Sequence, residues 1–382
     1  MDKVRYLYVT YNDRKVGTLA LYNSTYVAFA YDKDWLIDGF SISPFSLPLE
    51  EKVFIPEMNP FNGLYGVFAD SLPGSWGRLL VDHVMLKQNI NLSDVGNLER
   101  LAIVGNSGMG ALGYEPAKKL LVTGQPDIDL DGFAQGSKEI LKKKSKALVD
   151  DLFVLGGSSG GAGPKILVEL NEEKWIVKFP LPYDDKNSGR QEYDYSLCAK
   201  ECGIMMEDTR LFASSHCEGY FVTKRFDRMS DGKAHVISVN GLLEVWRRKP
   251  KLDYDTLMKL TFEMTKDYSE IEKLYRLMCF NVFSHNRDDH SKNFSFIYDE
   301  KESRWKLAPA YDLTYSRPFD GKRATTLLGN DVNPGKKEIF TIAKRIGLNQ
   351  KKAKVIADDV QECVKSKLSE YLLSSRVRKI TI

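Results

Sequence analysis

The sequence lacks several features that would assign it to a class of protein at once. No apolar run of about 18 residues occurs, so we expect no transmembrane helix, and we expect no leader peptide. The net charge of +3 gives no overall reason to expect binding to nucleic acid or to a membrane surface. We therefore expect a cytoplasmic protein, and 382 residues are enough for two or three domains.

Cysteine is scarce as well. The five cysteines are scattered, without the spacing of a zinc finger or of a disulfide framework, which indicates a reduced protein. Cys198 and Cys202 lie one helical turn apart, so their thiols can share a helix face. No second cysteine pair follows at a suitable spacing, so the sequence does not complete a metal site there. Cys279 lies in an apolar run and is expected to be buried.

A Walker A motif is also absent, but a glycine-rich stretch lies between two apolar runs. Phe153–Leu155 is predicted to be a strand, residues 156–164 contain five glycines and two serines, and a β-branched run follows. Glycines let backbone N–H groups approach phosphate oxygens, and a strand–loop–strand context is typical of kinase glycine-rich loops. We predict that the amides of Gly160 to Gly163 and of Lys165 bind phosphate. The alternative is a flexible hairpin tip.

A lysine follows on the next predicted strand. Lys178 alternates with Val177 and Phe179, so its ammonium is predicted to point across the sheet, where it needs an anionic partner. The α- and β-phosphates of a nucleotide would supply one, and Glu192 at the start of a helical stretch would pair with the lysine as in kinases. A solvated lysine on an edge strand is the alternative.

The most informative stretch is Phe280–Phe296, in which apolar ends enclose a polar centre. Asp288, followed five residues later by Asn293, has the spacing of a kinase catalytic loop. In such loops the carboxylate accepts a hydroxyl proton and the amide oxygen binds a metal ion. Asp312 lies about twenty residues further on, across a predicted hairpin, where kinases place a second Mg²⁺ carboxylate.

Two alternatives remain within this loop. Asp289 is the competing base, although the spacing to the amide favours Asp288. His285 and His290 suggest a zinc site, which is disfavoured because no cysteine partner and no helical histidine pair accompany them. We instead predict that His290 braces the loop by hydrogen bonds and that Lys292 faces the transferred phosphate.

Hydrophobic periodicity outlines the rest of the chain. The first hundred residues are β-rich, with a turn at Asn12-Asp13. Residues 127–151 are predicted to be helical, as are Tyr254–Met264 and Tyr268–Val282. From Lys336 onwards the chain is predicted to be helical and basic.

These motifs, in this order, resemble the HipA-like serine/threonine kinases, the toxins of type II toxin–antitoxin systems. The resemblance covers nearly the whole chain. The segments that carry it look like the family's N-terminal module (68–78 and 110–114), phosphate loop (156–165), nucleotide lysine strand (177–180), hinge (224–228), catalytic loop (286–294) and metal-binding segment (308–313).

The resemblance implies an α+β, two-lobed protein-kinase-like fold related to the phosphoinositide kinases. The N-terminal lobe would be β-rich and carry an extra N-terminal subdomain, and the C-terminal lobe would be mainly helical. The implied domains are the HipA N-terminal subdomain over residues 1–118, the kinase N-lobe over 119–226 and the helical C-lobe over 227–382.

The resemblance also implies an ATP- and Mg²⁺-dependent protein serine/threonine kinase that phosphorylates a translation component, such as an aminoacyl-tRNA synthetase, and that autophosphorylates. A HipB-like helix-turn-helix antitoxin would neutralise it, and DNA would be contacted only through that partner. Asp288 would be the catalytic base, and Asn293 and Asp312 the Mg²⁺ ligands. The implied ATP-binding residues are Gly160, Gly161, Ala162, Gly163, Pro164, Lys165, Lys178, Lys224, Arg225, Phe226, His290, Ser291, Lys292, Asn293, Tyr311 and Asp312.

The sequence departs from the family pattern at two places. Lys224 occupies a hinge position where the family often has glutamate, and Gly160 aligns with the autophosphorylated serine of some members. Ser159 is therefore the first candidate for autophosphorylation and Ser158 the second. Two other functions remain open from the sequence: a non-catalytic co-repressor that acts through a DNA-binding antitoxin, and a small-molecule or lipid kinase.

Overall fold

The computed structural model of the protein describes residues 3–122, 128–144, 147–246, 251–316 and 321–377. In chain order the strands are β1 (Tyr6–Tyr11), β2 (Arg14–Tyr22), β3 (Tyr26–Tyr31), β4 (Val53–Phe54), β5 (Leu112–Glu115), β6 (Lys165–Leu170), β7 (Glu173–Lys178), β8 (Thr209–Phe212), β9 (Tyr220–Lys224), β10 (Arg228–Met229), β11 (Gly232–Lys233), β12 (Val236–Ser238), β13 (Ser295–Asp299) and β14 (Arg304–Leu307).

The helices, again in chain order, are α1 (Lys33–Asp38), α2 (Gly66–Ala69), α3 (Ser75–Lys87), α4 (Asn97–Val104), α5 (Leu130–Leu141), α6 (Val149–Gly156), α7 (Ser188–Glu201), α8 (Val239–Leu243), α9 (Tyr254–Thr265), α10 (Tyr268–Phe283), α11 (Lys336–Arg345), α12 (Gln350–Lys367) and α13 (Ser369–Val377). Within the described ranges, no helix is both long and apolar enough to cross a membrane.

The chain divides into two compact units. The first contains residues 1–186 and 212–245, and the second contains residues 187–211 and 246–382. The finer division into three domains, with boundaries after residues 118 and 226, stays a prediction.

The first unit begins with an antiparallel sheet in the order β4-β3-β2-β1-β5. Asn12 and Asp13 join β1 to β2, and both have positive φ, as the two-residue turns that suit a twisted hairpin require. Alternate residues of β1 point inward, so that Leu7 and Val9 are fully buried. The predicted β-rich start of the chain is confirmed.

A second antiparallel sheet of the first unit contains β6, β7 and β9 in that order and carries the glycine-rich stretch. Its apolar face shares one core with α3, α5 and α6. The large side chains of this core include Trp76, Phe133, Leu152, Trp175 and Tyr220. Burial of each such side chain contributes about 1.5–3 kcal/mol. Helix α3 therefore packs in the same core as the sheet, although it precedes it by some eighty residues.

The segment before the glycine-rich stretch corrects one prediction. Phe153–Leu155, expected to be a strand, lies in helix α6, so the loop connects a helix to strand β6. Asp150 and Asp151 in the first turn of α6 suit a helix N-terminus. A short apolar run does not distinguish a strand from a buried helix, which is why the pattern misled.

The helix predicted over residues 127–151 is two helices, α5 and α6. Residue 127 lies outside the described residues, as do residues 145 and 146. Lys143, just after α5, has a φ of 56°, which takes the backbone out of the helical conformation there.

The glycine-rich stretch packs directly against the start of α3. The Gly74 N–H donates to the Ser159 carbonyl at 3.0 Å, and a Cβ built on Gly74 would overlap the Gly161 backbone. A Cβ on Gly77 would lie 2.6 Å from the Gly157 carbonyl oxygen. Gly74 has φ −64° and ψ −176°, a conformation open to any residue, so the close approach alone requires glycine.

The second unit is mainly helical. α10 packs against α9 and α12, and α12 also contacts α7, α11 and α13. Strands β13 and β14 form a hairpin, with Phe296 opposite Leu307. The helices predicted at Tyr254–Met264 and Tyr268–Val282, the hairpin and the helical character of the described residues after Lys336 are confirmed.

The contact between Gly74 and the loop predicts a specific cost. Gly74→Ala should lower the free energy of unfolding by about 1–3 kcal/mol, because backbone atoms of Gly161 must move to accept the methyl group. Urea denaturation measures this change. Gly163→Ala is the matched control, since its added Cβ meets nothing within 4 Å. Equal midpoints for the two variants would contradict the packing described.

Candidate active site

The Phe280–Phe296 stretch has the predicted form of a helix end, a loop and a strand. Helix α10 ends at Phe283, and His285 turns the chain with a φ of 57°. A 3-10 turn over Ser291–Asn293 then leads into β13, which begins at Ser295. The chain thus enters on a buried helix and leaves on a buried strand, which fixes both ends of the loop.

Asp289 holds the centre of this loop in place. Its side chain is almost completely buried, and it accepts hydrogen bonds from Arg323 Nη2 at 2.6 Å and from the Tyr254 hydroxyl at 2.8 Å. The Thr325 amide also donates to it, at 3.2 Å. The Arg323 guanidinium in turn donates to the carbonyl oxygens of Asn281 and Asn286, at 3.2 and 2.9 Å.

The electrostatics of Asp289 follow from this environment. Burial raises the pKa of the Asp289 carboxyl, and the Arg323 guanidinium and the hydrogen bond from Tyr254 act in the opposite direction. Burial also raises the pKa of Tyr254 well above its ordinary value, so its hydroxyl remains a donor. With its oxygens engaged inside the protein, Asp289 has no surface on which a substrate hydroxyl can lie.

Asp288 is placed differently. Its side chain is half-buried, and its position is set through its backbone. The Asp288 N–H donates to Ser316 Oγ at 2.8 Å, and its carbonyl accepts from Asn293 Nδ2 at 3.0 Å and from the His290 N–H at 2.8 Å. The carboxyl group is thus presented on a backbone fixed from both sides.

The remaining predicted loop residues support this arrangement. His290 Nδ1 accepts the Lys292 N–H at 3.2 Å, which is the kind of bracing contact that the sequence suggested. Ser291 is buried, whereas Lys292 is exposed. Asn293 donates to the Asp288 carbonyl through its side-chain nitrogen. This hydrogen bond does not use the side-chain oxygen of Asn293, which is the atom that a Mg²⁺ ion would need.

The segment around Asp312 borders the same loop. The Tyr311 hydroxyl donates to the Lys292 carbonyl at 2.8 Å and lies 2.6 Å from Ser295 Oγ. Ser316, four residues beyond Asp312, accepts the amide of Asp288. Asp312 lies between these anchors, is exposed and has a φ of 61°, a strained conformation of the kind that is common at functional sites.

Helix α7 supports this segment within the second unit. Tyr195 is fully buried and donates from its hydroxyl to the Ser284 carbonyl at 2.7 Å, just beyond the end of α10. Gln191 Oε1 accepts from Thr314 Oγ1 at 3.4 Å. Glu192, predicted to pair with Lys178, lies in the first turns of α7, as expected, but the pairing itself stays a prediction.

In the first unit, side chains of the predicted phosphate loop donate hydrogen bonds to nearby backbone carbonyls. Ser159 is buried and donates to the Gly156 carbonyl at 2.6 Å, and Ser158 donates to the Ser107 carbonyl at 2.9 Å. The Lys165 ammonium donates to the Gly160 carbonyl at 2.7 Å. Gly161 and Ala162 at the tip are exposed, so the backbone at the tip of the loop is accessible to a ligand.

Lys165 and Lys178 lie directly opposite each other on β6 and β7. Side chains at such positions project from the same face of the sheet, and two like charges there repel each other. The Lys178 ammonium lies 5.5 Å from the centre of the Phe221 ring. The two lysines therefore place two positive charges on one face of this sheet.

The predicted hinge residues are held by their own side chains. Lys224 pairs with Glu173, and buried Arg225 donates to the Asp227 carboxylate at 2.9 and 2.7 Å. Burial alone would raise the pKa of Asp227, but Arg225 and Arg228 hold it below its ordinary value. The Arg225 side chain is thereby engaged in structure, and the part it plays towards a nucleotide stays a prediction.

Several residues that shape the site carried no signal in the sequence. Arg323, Tyr254 and Ser316 contact the catalytic loop from distant positions in the chain, and no motif or spacing marks them.

Comparison with known proteins places the chain in a family. A family model described as the HipA N-terminal domain matches residues 7–115, and one described as the HipA-like C-terminal domain matches residues 157–368. The second match alone covers more than half of the chain. The protein belongs to the HipA family, as the sequence motifs predicted.

Its curated relatives are described by the name "putative kinase". One from Haemophilus influenzae is 26% identical over 230 residues, which are 54% of this chain and 66% of that relative. One from Sinorhizobium fredii, Y4dM, is 22% identical over 401 residues, covering 99% of this chain and 90% of the relative.

The fold agrees with a solved HipA structure. The HipA of Shewanella oneidensis, in a complex with HipB and operator DNA, matches with a TM-score of 0.70 at 17% identity. The match covers 96% of this chain and 91% of that chain. The likeness confirms the predicted α+β fold of the HipA kinase type.

The different environments of the two aspartates predict different costs of mutation. Asp289→Asn should lower the free energy of unfolding by about 3–5 kcal/mol, because Arg323 then keeps a buried charge without its counter-ion. Asp288→Asn, at a half-buried position, is the matched control and should cost less than about 1 kcal/mol. Urea denaturation of both variants measures the difference. A neutral Asp289→Asn would contradict the structural role of this ion pair.

Proposed function

We propose that this HipA family member is an ATP- and Mg²⁺-dependent protein kinase that transfers the γ-phosphate to a serine or threonine hydroxyl. The observation that carries the proposal is the hydrogen bond from the Asn293 side chain to the Asp288 carbonyl, which fixes the two residues of the kinase spacing relative to each other. The different environments of the neighbouring aspartates support it, since Asp289 is almost completely buried in an ion pair with Arg323, whereas Asp288 is only half-buried.

The proposed chemistry assigns the transfer to Asp288. Its carboxylate would accept the proton of the substrate hydroxyl while that oxygen bonds to the γ-phosphorus and the bond to the departing ADP breaks. Asp288 suits a general base because it is partly exposed and its backbone is held by Ser316 and Asn293. Lys292, which is exposed, would face the transferred phosphate.

The hard-oxygen donors of Asn293 and Asp312 would hold Mg²⁺. A bound Mg²⁺ would neutralise the charge of the nucleotide phosphates. The Tyr311 and Ser316 contacts support this role for Asp312, because they anchor its segment to the catalytic loop at both ends. Asp312 is exposed, so solvent and an ion can reach this residue.

The phosphate loop and the lysine pair would bind the nucleotide. The exposed tip at Gly161 and Ala162 would present its backbone N–H groups to the phosphates. Lys165 and Lys178, opposite each other on one sheet face, support an anionic ligand at that place. A phosphate there would compete with the Gly160 carbonyl for the Lys165 ammonium.

We also propose the partners from the family resemblance. The solved relative from Shewanella oneidensis, in complex with HipB and operator DNA, supports a HipB-like antitoxin as partner, through which DNA would be contacted indirectly. A translation component as substrate, such as an aminoacyl-tRNA synthetase, rests on the resemblance alone, and a cytoplasmic location stays the expectation drawn from the sequence.

Label transfer from ATP tests the kinase proposal. With Mg²⁺, the wild-type chain should transfer labelled γ-phosphate to protein, and Asp288→Asn and Asp312→Asn should each lower the rate about a hundredfold or more. Asp208→Asn is the matched control, because this carboxylate is exposed outside the catalytic segment, and it should keep full activity. Equal label transfer by wild type and both site variants would overturn the mechanism, and label found only on small molecules would overturn protein as the substrate class.

Autophosphorylation is proposed at Ser159, with Ser158 as the second candidate. A phosphate on Ser159 does not fit its buried position, so the modification would expel the residue from the loop and break its bond to the Gly156 carbonyl. Mass spectrometry after incubation with ATP and Mg²⁺ should find one phosphate in this peptide. The phosphate should disappear in Ser159→Ala and persist in Ser158→Ala. The reverse pattern would assign the site to Ser158.

A further inference from the structure

The second unit contains a group of three cysteines that the proposed kinase function does not use. Cys198 lies in the last turn of α7, Cys202 caps the C-terminal end of that helix, and Cys363 lies on α12, which packs against α7. Their Sγ atoms all lie within 4.8 Å of one another, and Cys198 Sγ and Cys363 Sγ are 4.0 Å apart. We call these residues the three-cysteine cluster.

The spacing of these sulfur atoms fits a metal ion. Zinc–thiolate bonds of about 2.3 Å place sulfur ligands about 3.8–4.0 Å apart in tetrahedral or trigonal geometry. The cluster needs only a small contraction to reach that spacing. A disulfide would join only two of the three sulfur atoms and would leave the third thiol unused, whereas a metal ion engages all three.

The surroundings of the cluster suit a thiolate site with one open position. Cys198 and Cys202 are buried, whereas Cys363 is partly exposed, so that a water molecule can approach a bound ion from its side. Lys367, one turn after Cys363 on α12, pairs with Glu201 on α7 at 2.9 Å. This pair is neutral as a whole, so the charge of the three thiolates would be balanced mainly by the bound ion.

We propose that the three-cysteine cluster binds one thiophilic divalent ion, Zn²⁺ in the cell, through three thiolates and a water molecule. Binding forms three metal–sulfur bonds, releases the three thiol protons to solvent and exchanges no electrons. Soft thiolate ligands select zinc and its heavier relatives over Mg²⁺, so the ion bound here is not the ion of the kinase reaction. The ion ties α7 to α12.

Titration of the reduced full-length chain, stripped of metal by a chelator, tests the proposal. Zn²⁺ should bind one to one, with a native mass higher by one zinc less two hydrogens, and Cd²⁺ should give a sulfur-to-metal charge-transfer band. Cys198→Ser and Cys363→Ser should each weaken binding about a hundredfold or more, since loss of even an outer contact weakens metal sites substantially. Cys217→Ser, outside the cluster, is the matched control and should bind as wild type does.

Alkylation of the wild-type chain provides a second measurement that does not depend on the folding of a variant. Cys363 and Cys217 are both partly exposed, so both should react with iodoacetamide in the metal-free protein. Zn²⁺ should protect Cys363 and leave Cys217 reactive. Failure of Zn²⁺ to protect Cys363, or one-to-one binding that persists in both serine variants, would overturn the site. Neither measurement depends on kinase activity.

Discussion

The buried ion pair between Asp289 and Arg323 is the interaction on which the geometry of the catalytic segment depends. A charge of either sign left alone at this depth would cost several kcal/mol, so each residue fixes the other. Arg323 also bonds the carbonyl oxygens of Asn281, within α10, and Asn286, in the loop. One guanidinium therefore joins helix α10 to the loop, and this contact helps to fix the backbone that carries Asp288.

The phosphate loop is likewise held by a distant segment, the start of helix α3. Gly74 and Gly77 at the start of α3 let the loop backbone lie against the helix, and the Gly74 amide donates to the Ser159 carbonyl. Trp76 from the same helix contributes to the core beneath the sheet. The segment that the family comparison assigns to the HipA N-terminal domain thus belongs to the packing of the loop proposed to bind ATP. A change in that domain would reach the loop through these two glycines.

The parts of the structure that were predictable from sequence are those with local causes. Helices α9 and α10 follow from apolar spacing within one segment, and the hairpin at Asn12-Asp13 follows from turn chemistry. The strand predicted at Phe153 failed because its helical state depends on packing against a helix far away in the chain. The spacing to Asn293 favoured Asp288 over Asp289 as the base, but it could not show how differently the two carboxylates are placed. Burial and the distant Arg323 separate their environments.

The three-cysteine cluster was also only partly predictable from the sequence. The sequence placed Cys198 and Cys202 on one helix face, but their third partner lies on α12, and no spacing rule connects positions so far apart. The contact of α12 with α7 in the folded protein brings Cys363 to the other two cysteines.

Helix α7 connects this contact to the catalytic segment. Its first half bonds Thr314 and Ser284 through Gln191 and Tyr195, and its second half carries the cysteines. A helix is stiff along its axis, because each residue is held by backbone hydrogen bonds to the next turn. Helix α7 thus contacts both α12 and the segments that border the loop proposed to be catalytic.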